Sequence, residues 1–213
     1  MNKDIILKKF QKYEPGFISE FKWKEFSVLI PLVKTDDGIC ILFEERASTL
    51  VNQPNEISFP GGAIERNEKP VDAAIRETEE ELLVDKSKIE IFGASDKYIV
   101  PSGKMIYPFI GEVKDYKGTY STQEVKNIFM VPYKELLTMG DEVYHNKVVV
   151  EIAKDFPVKD IPSGVDYRWG AGDHIVRFYR WKDKIIWGIT ARILKNAIQL
   201  IEEYGLFDLM EAR

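Results

Sequence analysis

The chain has 213 residues, of which 45% are hydrophobic, 12% aromatic and 31% charged, proportions that are typical of one folded domain and exclude a disordered chain. Thirty basic and thirty-five acidic residues give a net charge of −5, which offers no broad positive field for nucleic acid. A lone cysteine, Cys40, rules out an internal disulfide, and no apolar run reaches the roughly eighteen residues of a membrane-spanning helix. We expect a cytoplasmic protein without a nucleic-acid or membrane partner.

The first third of the sequence predicts a helix, a β-hairpin and a strand–loop–helix unit. Residues 1–24 form a predicted helical extension, because lysines are interspersed with apolar positions and a signal-peptide pattern is lacking. The apolar runs 27–34 and 39–43 flank turn-forming residues, which predicts a hairpin. A short strand at 57–59 leads into two glycines, and Pro70 suits the first turn of the helix that follows.

The remainder alternates apolar, β-branched segments with turn signals, and it closes with a helical pattern. Further strands are predicted at 88–100, 105–113, 126–131, 143–153 and 173–181. Residues 155–173 mix prolines, glycines and charges, which predicts an irregular loop. Apolar residues recur at helical spacing over 188–204, and Gly205 suits the end of that helix. Because no repeat or linker is found, we predict one α/β domain over residues 1–213.

Four glutamates are concentrated near the end of the predicted helix that begins at Pro70, where the helix dipole disfavours negative charge. At about 100° per residue, Glu77, Glu80 and Glu81 share one face, beside an apolar face that suits packing on a sheet. Hard divalent cations bind through a few carboxylates together with substrate phosphates. We interpret these three glutamates as metal ligands, and the alternative is a solvated acidic face.

The segment GAIERNEKPVDAAIRETEEELLV, residues 62–84, closely resembles the Nudix box, G-x5-E-x7-R-E-U-x-E-E-x-G-U, where U is aliphatic. The charged and glycine positions that match are Gly62, Glu68, Arg76, Glu77, Glu80 and Glu81. Thr78 replaces the first aliphatic residue, and Leu83 replaces the last glycine. Since glycine is the residue best suited to end a helix in the left-handed conformation, Leu83 predicts a different turn or a longer helix.

This resemblance implies the Nudix fold, an α/β/α sandwich with a mixed sheet between helices, and hydrolysis of a diphosphate joined to another moiety. It implies Mg²⁺ or Mn²⁺ held by Glu77, Glu80, Glu81 and the carbonyl of Gly61, with Arg76 and Glu68 in support. Such ions neutralise the diphosphate and position the attacking water. Either Glu80 or Glu124, from the loop before a predicted strand, could accept the proton of that water.

Residues 41–62, ILFEERASTLVNQPNEISFPGG, resemble the additional motif of the coenzyme A diphosphatases, roughly LLTxR[SA]xxxRxxxGxxxFPGG. Arg46 and the FPGG sequence match, whereas Val51 replaces the second arginine and Asn55 replaces the glycine. Near the carboxyl end, IIWGITARIL resembles the WGxTA segment of the same group.

The narrower resemblance implies coenzyme A as the substrate, with 3′,5′-ADP and 4′-phosphopantetheine as products. Arg46, Gly61 and Gly62 would then contact the substrate, although Arg46 could equally pair with Glu44 or Glu45. The alternatives are a hydrolase of ADP-ribose or NADH, or a Nudix-fold sensor that binds nucleotides without catalysis. A homodimer is left open.

Overall fold

A computed structural model of the chain describes residues 11–12 and 23–212. Most of the helical extension predicted for residues 1–24 lies outside the described residues, and Lys24 already belongs to the first strand. The strands are β1 (Lys24–Thr35), β2 (Gly38–Arg46), β3 (Ile57–Ser58), β4 (Gly61–Ala63), β5 (Ile89–Ala94), β6 (Tyr98–Val100), β7 (Lys104–Val113), β8 (Val125–Pro132), β9 (Glu142–Val148), β10 (Gly172–Trp181) and β11 (Lys184–Trp187). The α-helices are α1 (Pro70–Leu82), α2 (Tyr133–Met139), α3 (Gly188–Glu203) and α4 (Leu206–Glu211).

The main sheet is mixed. Its strand order is β3-β2-β1-β7-β5, and β4, β6 and β8 pair with β1, β7 and β2 respectively. The central strands β1 and β7 are parallel, whereas the remaining pairs are antiparallel. β1 and β2 form the predicted hairpin, and Gly38, with a φ of 97°, takes the left-handed conformation that its turn requires.

Helices cover both faces of this sheet, as β1 illustrates. Leu32 packs in a cluster with residues of α3 such as Leu194, whereas Val33 packs in a second cluster with Leu82 of α1. Because successive side chains of a strand point to opposite faces, α1 and α3 lie on opposite sides of the sheet. The predicted α/β/α sandwich is confirmed.

The segment 88–100, predicted as one strand, forms two strands, β5 and β6. Both pair with β7, but the ladder is interrupted beside Pro108, which has no N–H group to donate. The Ser95 N–H still donates to the Pro108 carbonyl at 2.9 Å. The Ser95 hydroxyl and the Asp96 N–H donate instead to Oδ1 of Asn196 in α3. Hydrogen bonds to a distant helix therefore stabilise the interruption between β5 and β6.

A second, antiparallel sheet has the strand order β11-β10-β9. β9 ends at Val148, so the predicted strand over 143–153 was too long, and every residue of β9 is exposed. The segment 155–173, predicted to be irregular, contains two short 3₁₀ helices, Val158–Asp160 and Gly164–Asp166, and β10 already begins at Gly172. The rest of the segment is irregular as predicted.

The predicted carboxy-terminal helix is confirmed as α3, which ends at Glu203, one residue before the predicted boundary. Its buried stripe includes Ile193, Leu194 and Ile198 and joins the larger of the two apolar clusters. Within the part of the chain that the structure describes, none of the helices combines the length and apolar character needed to cross a membrane.

The prediction that Leu83 changes the end of α1 was wrong. The helix ends at Leu82, and Leu83 adopts the left-handed conformation itself, with φ 52° and ψ 47°. This conformation crowds the Cβ atom of an L-residue at a cost of about 1 to 2 kcal/mol. Leu83 is 58% exposed, so burial of its side chain recovers little of that cost.

We therefore expect Leu83→Gly to raise the free energy of unfolding by about 0.5 to 1 kcal/mol, since relief of the left-handed strain exceeds the greater chain entropy of glycine. Urea unfolding of the purified variants measures the change. Leu83→Ala is the control, because it removes the exposed side chain but keeps Cβ. Equal stability of the two variants would show that the backbone conformation has no part in the effect.

Candidate active site

The glycine turn formed by Gly61 and Gly62 lies directly against α1. Gly61 pairs with Val28 of β1, and a Cβ atom on Gly61 would lie closer than 3.0 Å to the backbone of Ser27 and Val28. A Cβ atom on Gly62 would overlap the carboxylate of Glu77 in the same way. Because glycine has no side chain, the backbone of β4 can lie close to both β1 and the acidic face of α1.

Arg76 ties the loop before α1 to the helix. Its Nε and Nη2 atoms donate to the two carboxylate oxygens of Glu68 at 2.9 and 3.1 Å. Nη1 donates to Oε1 of Glu77 at 2.8 Å, and Nη2 also reaches the carbonyl of Ala63 at 3.2 Å. These hydrogen bonds lower the pKa of the Glu68 carboxyl. The network holds the Glu77 carboxylate beside the glycine turn.

Glu81 is almost fully enclosed, with 2% of its surface exposed. Its Oε2 atom accepts a hydrogen bond of 2.8 Å from the backbone N–H of Gly61. Burial raises the pKa of the Glu81 carboxyl well above its ordinary value, and the nearby charges of Glu44, Glu77 and Glu124 raise it further. Burial likewise raises the pKa of Glu77, against the opposing effect of Arg76.

Glu44 is a member of this cluster that the sequence analysis considered only as an ion-pair partner. It lies in β2 with no exposed surface, and its Oε1 atom accepts a hydrogen bond of 3.0 Å from the Ser58 hydroxyl. Its Oε2 atom is buried without a hydrogen-bond partner. Burial raises the pKa of Glu44 above its ordinary value. The available signal was an acidic residue directly after the otherwise apolar run ICILF.

The two candidate bases lie at the edge of the cluster. The Glu80 side chain is 57% exposed, and its Oε2 atom is 3.6 Å from Nη1 of Arg76. Glu124 is exposed in the loop before β8, and its charge contributes to the raised pKa values of Glu44, Glu77 and Glu81. The structure therefore brings both near the buried carboxylates, from two different elements.

The donor set fits a divalent cation. Carboxylate oxygens are the ligands that Mg²⁺ prefers, and a cation would relieve the mutual repulsion that accompanies the raised pKa values. The unpartnered oxygen of Glu44 also points to an interaction that the protein atoms alone do not satisfy. Among the described residues no three acidic, histidine or cysteine side chains form a ready coordination shell, since Arg76 and the Gly61 N–H hold the Glu77 and Glu81 carboxylates.

A cavity of about 300 Å³ opens beside the glycine turn. Arg46 lines it, and the Nε atom of Arg46 is buried without a hydrogen-bond partner. Glu45 pairs instead with Lys126 at 2.5 Å and Lys184 at 3.3 Å. Glu45 is thus engaged elsewhere, whereas the positive charge of Arg46 lies near enough to Glu44 to oppose the rise in the pKa of that carboxyl.

The two departures from the coenzyme A diphosphatase motif differ in their consequences. Asn55 has a φ of 59°, so it adopts the left-handed conformation that the motif's glycine would favour, and asparagine tolerates it well. Val51 is 95% exposed in the loop between β2 and β3, so its replacement of arginine removes a charge from the surface near the cavity. The turn is preserved, whereas one basic group is lost.

A sheet sandwiched between helices, with a glutamate cluster on a glycine turn, is the architecture that the resemblance predicted, and a model of the NUDIX domain matches residues 23–151. The chain belongs to the Nudix family. Nudix hydrolases act on small nucleotide substrates and generally use divalent metal ions.

Three similar proteins and one solved structure illustrate this relationship. "Nudix hydrolase 22, chloroplastic" of Arabidopsis thaliana is 28% identical over 190 residues, covering 85% of this chain and 56% of the plant protein. "Peroxisomal coenzyme A diphosphatase NUDT7" of Mus musculus is 28% identical over 160 residues, covering 70% of this chain and 65% of the mouse protein. The chain thus spans less than two thirds of the length of either relative.

The Nudix hydrolase NudL of Enterobacter sp. (strain 638) is 27% identical over 201 residues, covering 92% of this chain and 94% of the bacterial protein. The crystal structure of a MutT/nudix family protein from Enterococcus faecalis superposes with a TM-score of 0.51 at 15% identity. That superposition covers 95% of this chain and 70% of the other, and it supports the fold alone.

Proposed function

We propose that this protein is a divalent-metal-dependent hydrolase of nucleoside diphosphate derivatives, and that coenzyme A is its substrate. The observation that carries the proposal is the position of the cavity, which is lined by Arg46 and by the glycine turn, beside the carboxylates of Glu77 and Glu81. The name of the mouse relative is consistent with this substrate. Because one apolar core joins β1, β2, β10, β11 and α3, we propose that residues 1–213 belong to one catalytic domain.

In this proposal Glu77, Glu80, Glu81 and the Gly61 carbonyl would hold Mg²⁺ or Mn²⁺, with Glu44 as a further oxygen donor in the cluster. Such an ion would supply neutralisation of the diphosphate charge and activation of the attacking water. Arg76 and Glu68 keep the Glu77 carboxylate in place through their hydrogen bonds. Arg46 binds the diphosphate, because its Nε group is desolvated and lacks a protein acceptor.

The remaining step is removal of a proton from the attacking water. Glu80 and Glu124 are the carboxylates that solvent reaches, so either can release the proton to bulk water after accepting it. The buried Glu81 is a poorer base in turnover, since its hydrogen bond with Gly61 and its position hold it as a ligand. The single variants Glu80→Gln and Glu124→Gln test which of the two carboxylates accepts this proton.

A substrate panel tests the proposal. With Mg²⁺ or Mn²⁺, we expect the purified protein to hydrolyse coenzyme A with a higher kcat/KM than ADP-ribose or NADH, and to release 3′,5′-ADP. The exposed position of Val51 in place of arginine favours the alternative, a hydrolase with preference for ADP-ribose or NADH. If ADP-ribose or NADH is hydrolysed faster, that compound and not coenzyme A is the preferred substrate. If the protein binds these compounds but hydrolyses none of them, it is a nucleotide sensor.

A further inference from the structure

Two lysines line the cavity at a distance from the glycine turn. Lys24 in β1 and Lys104 in β7 are register partners in adjacent parallel strands. Ser27, three residues after Lys24, pairs with Gly62. At about 3.3 Å per residue, the two lysines lie roughly 10 Å along the strands from the turn that faces the glutamate cluster.

Neither lysine forms an ion pair with a carboxylate among the described residues, in contrast to Lys126 and Lys184, which both pair with Glu45. The Lys104 ammonium lies 5.5 Å from the centre of the Phe26 ring, on the cavity wall. Unpaired cations at the end of a cavity indicate a site for an anion that the protein does not itself supply.

The remaining charges around the cavity leave this end positive. Glu56 is the carboxylate among the described lining residues, and its Oε2 atom already accepts a hydrogen bond of 2.9 Å from Gln53. Glu25 follows Lys24 but accepts a hydrogen bond from the Tyr107 hydroxyl at 2.6 Å. The two lysines and Arg46 therefore outnumber the single acidic group that lines the cavity.

The surface between the lysines and the glycine turn is apolar. Phe26 and Val28 of β1, Ile106 of β7 and Ile189 and Ile193 of α3 line it. A ligand that fits this cavity thus carries an anionic group towards each end and packs a flat or aliphatic part against the apolar wall.

We propose that Lys24 and Lys104 bind a second phosphate of the substrate, a phosphomonoester separate from the diphosphate that is cleaved. The site thereby selects nucleoside diphosphate derivatives that carry an additional ribose phosphate, as coenzyme A does and ADP-ribose does not. This inference rests on the proposed function, because it takes the glutamate cluster as the position of the diphosphate. Flexible lysine stems suit a dianion that can bind in several orientations.

The test compares coenzyme A with 3′-dephospho-coenzyme A, which differ only in this phosphate, on the wild type and on Lys24→Ala/Lys104→Ala. For coenzyme A we expect kcat/KM of the double variant to fall about 10- to 100-fold, mainly through KM, since charge-assisted hydrogen bonds are lost. For the dephosphorylated compound we expect a change of less than about threefold. Lys24→Arg/Lys104→Arg should retain the wild-type preference.

The matched control is Lys154→Ala/Lys159→Ala, which removes two exposed lysines and changes the net charge equally. This control should leave kcat/KM unchanged for both substrates. Equal losses for the two substrates in the Lys24→Ala/Lys104→Ala variant would overturn the inference and leave the proposed function standing.

A binding measurement tests the inference independently of turnover. By calorimetry we expect the wild type to bind adenosine 3′,5′-bisphosphate at least about tenfold more tightly than adenosine 5′-monophosphate, and the double variant to lose this ratio. An unchanged ratio would overturn the assignment of the lysines. Failure of the proposed function would show differently, as absence of hydrolysis of every diphosphate in the panel.

Discussion

Replacement of Glu81 by glutamine is expected to lower kcat about 1000-fold and, at the same time, to stabilise the metal-free protein. Glutamine keeps the acceptor for the Gly61 N–H but removes a negative charge that the divalent ion needs. The loss in rate reflects removal of electrostatic stabilisation from a diphosphate transition state. The gain in stability arises because burial disfavours the charged Glu81 carboxylate, and because Glu44, Glu77 and Glu124 also repel it.

The pH dependence follows from the sign of the pKa shift. The pKa of Glu81 is higher in the folded protein than its ordinary value of 4.5, so the unfolded chain releases this proton first as the pH rises. The contribution of Glu81 to the free energy of unfolding of the metal-free wild type therefore decreases from about pH 4.5 upwards until the folded-state pKa is passed. Glu81→Gln lacks this contribution, so its advantage is small at pH 5 and reaches roughly 1 to 3 kcal/mol at pH 8.

Urea unfolding in the presence of a chelator at pH 5 and pH 8, together with initial rates at saturating Mg²⁺, measures both effects. Glu79→Gln is the control, because it makes the same change on the same helix outside the matched box positions. Turnover at the wild-type rate in Glu81→Gln would contradict its assignment as a metal ligand. A stability difference that does not vary with pH would contradict the raised pKa.

Substitution of the two adjacent glycines by alanine is expected to affect different properties, namely kcat at Gly62 and the free energy of unfolding at Gly61. In Gly62→Ala the new Cβ overlaps the mobile end of the Glu77 side chain, which can rotate away at the expense of its hydrogen bond with Arg76. We expect kcat to fall about 10- to 100-fold because a ligand is displaced, with a stability change of at most about 1 kcal/mol.

In Gly61→Ala the Cβ overlaps backbone atoms of Ser27 and Val28, which cannot move without opening the β1–β4 pair. We expect a loss of about 2 to 4 kcal/mol in the free energy of unfolding. Thermal unfolding and kcat measured on both variants separate a glycine that positions a ligand from one that permits strand pairing. Similar stability losses in the two variants would rule out this division.

Local periodicity was sufficient to predict the acidic face of α1, because it depends on residues within one helical turn of each other. The supporting role of Arg76 and Glu68 came from the resemblance to the Nudix box, and the structure places the two side chains in contact. Local periodicity was insufficient where residues far apart in the sequence determine the structure. The break between β5 and β6 depends on Asn196, which is about 100 residues away. The pairing of Lys24 with Lys104 depends on the register of two parallel strands, which no local pattern encodes.

Glu44 and Leu83 show two other limits of the sequence. An acidic residue in a strand is ordinarily solvated, and only the tertiary structure, which places Glu44 beside Ser58 and Glu81, made it a buried member of the cluster. Leu83 follows the backbone that the helix end requires, although its own preference opposes it, because buried neighbours such as Leu82 anchor the helix.

The parallel pairing of β1 with β7 joins segments about 80 residues apart, as the hydrogen bond from the Ser27 hydroxyl to the Tyr107 carbonyl illustrates. Closing so long a loop costs entropy before any contact compensates for it, so the rate-limiting event of refolding is expected to include this pair. β1 also carries the strand that presents the glycine turn. If the proposed metal site is correct, a nascent chain would be able to bind the ion only after β7, which ends at Val113, has left the ribosome.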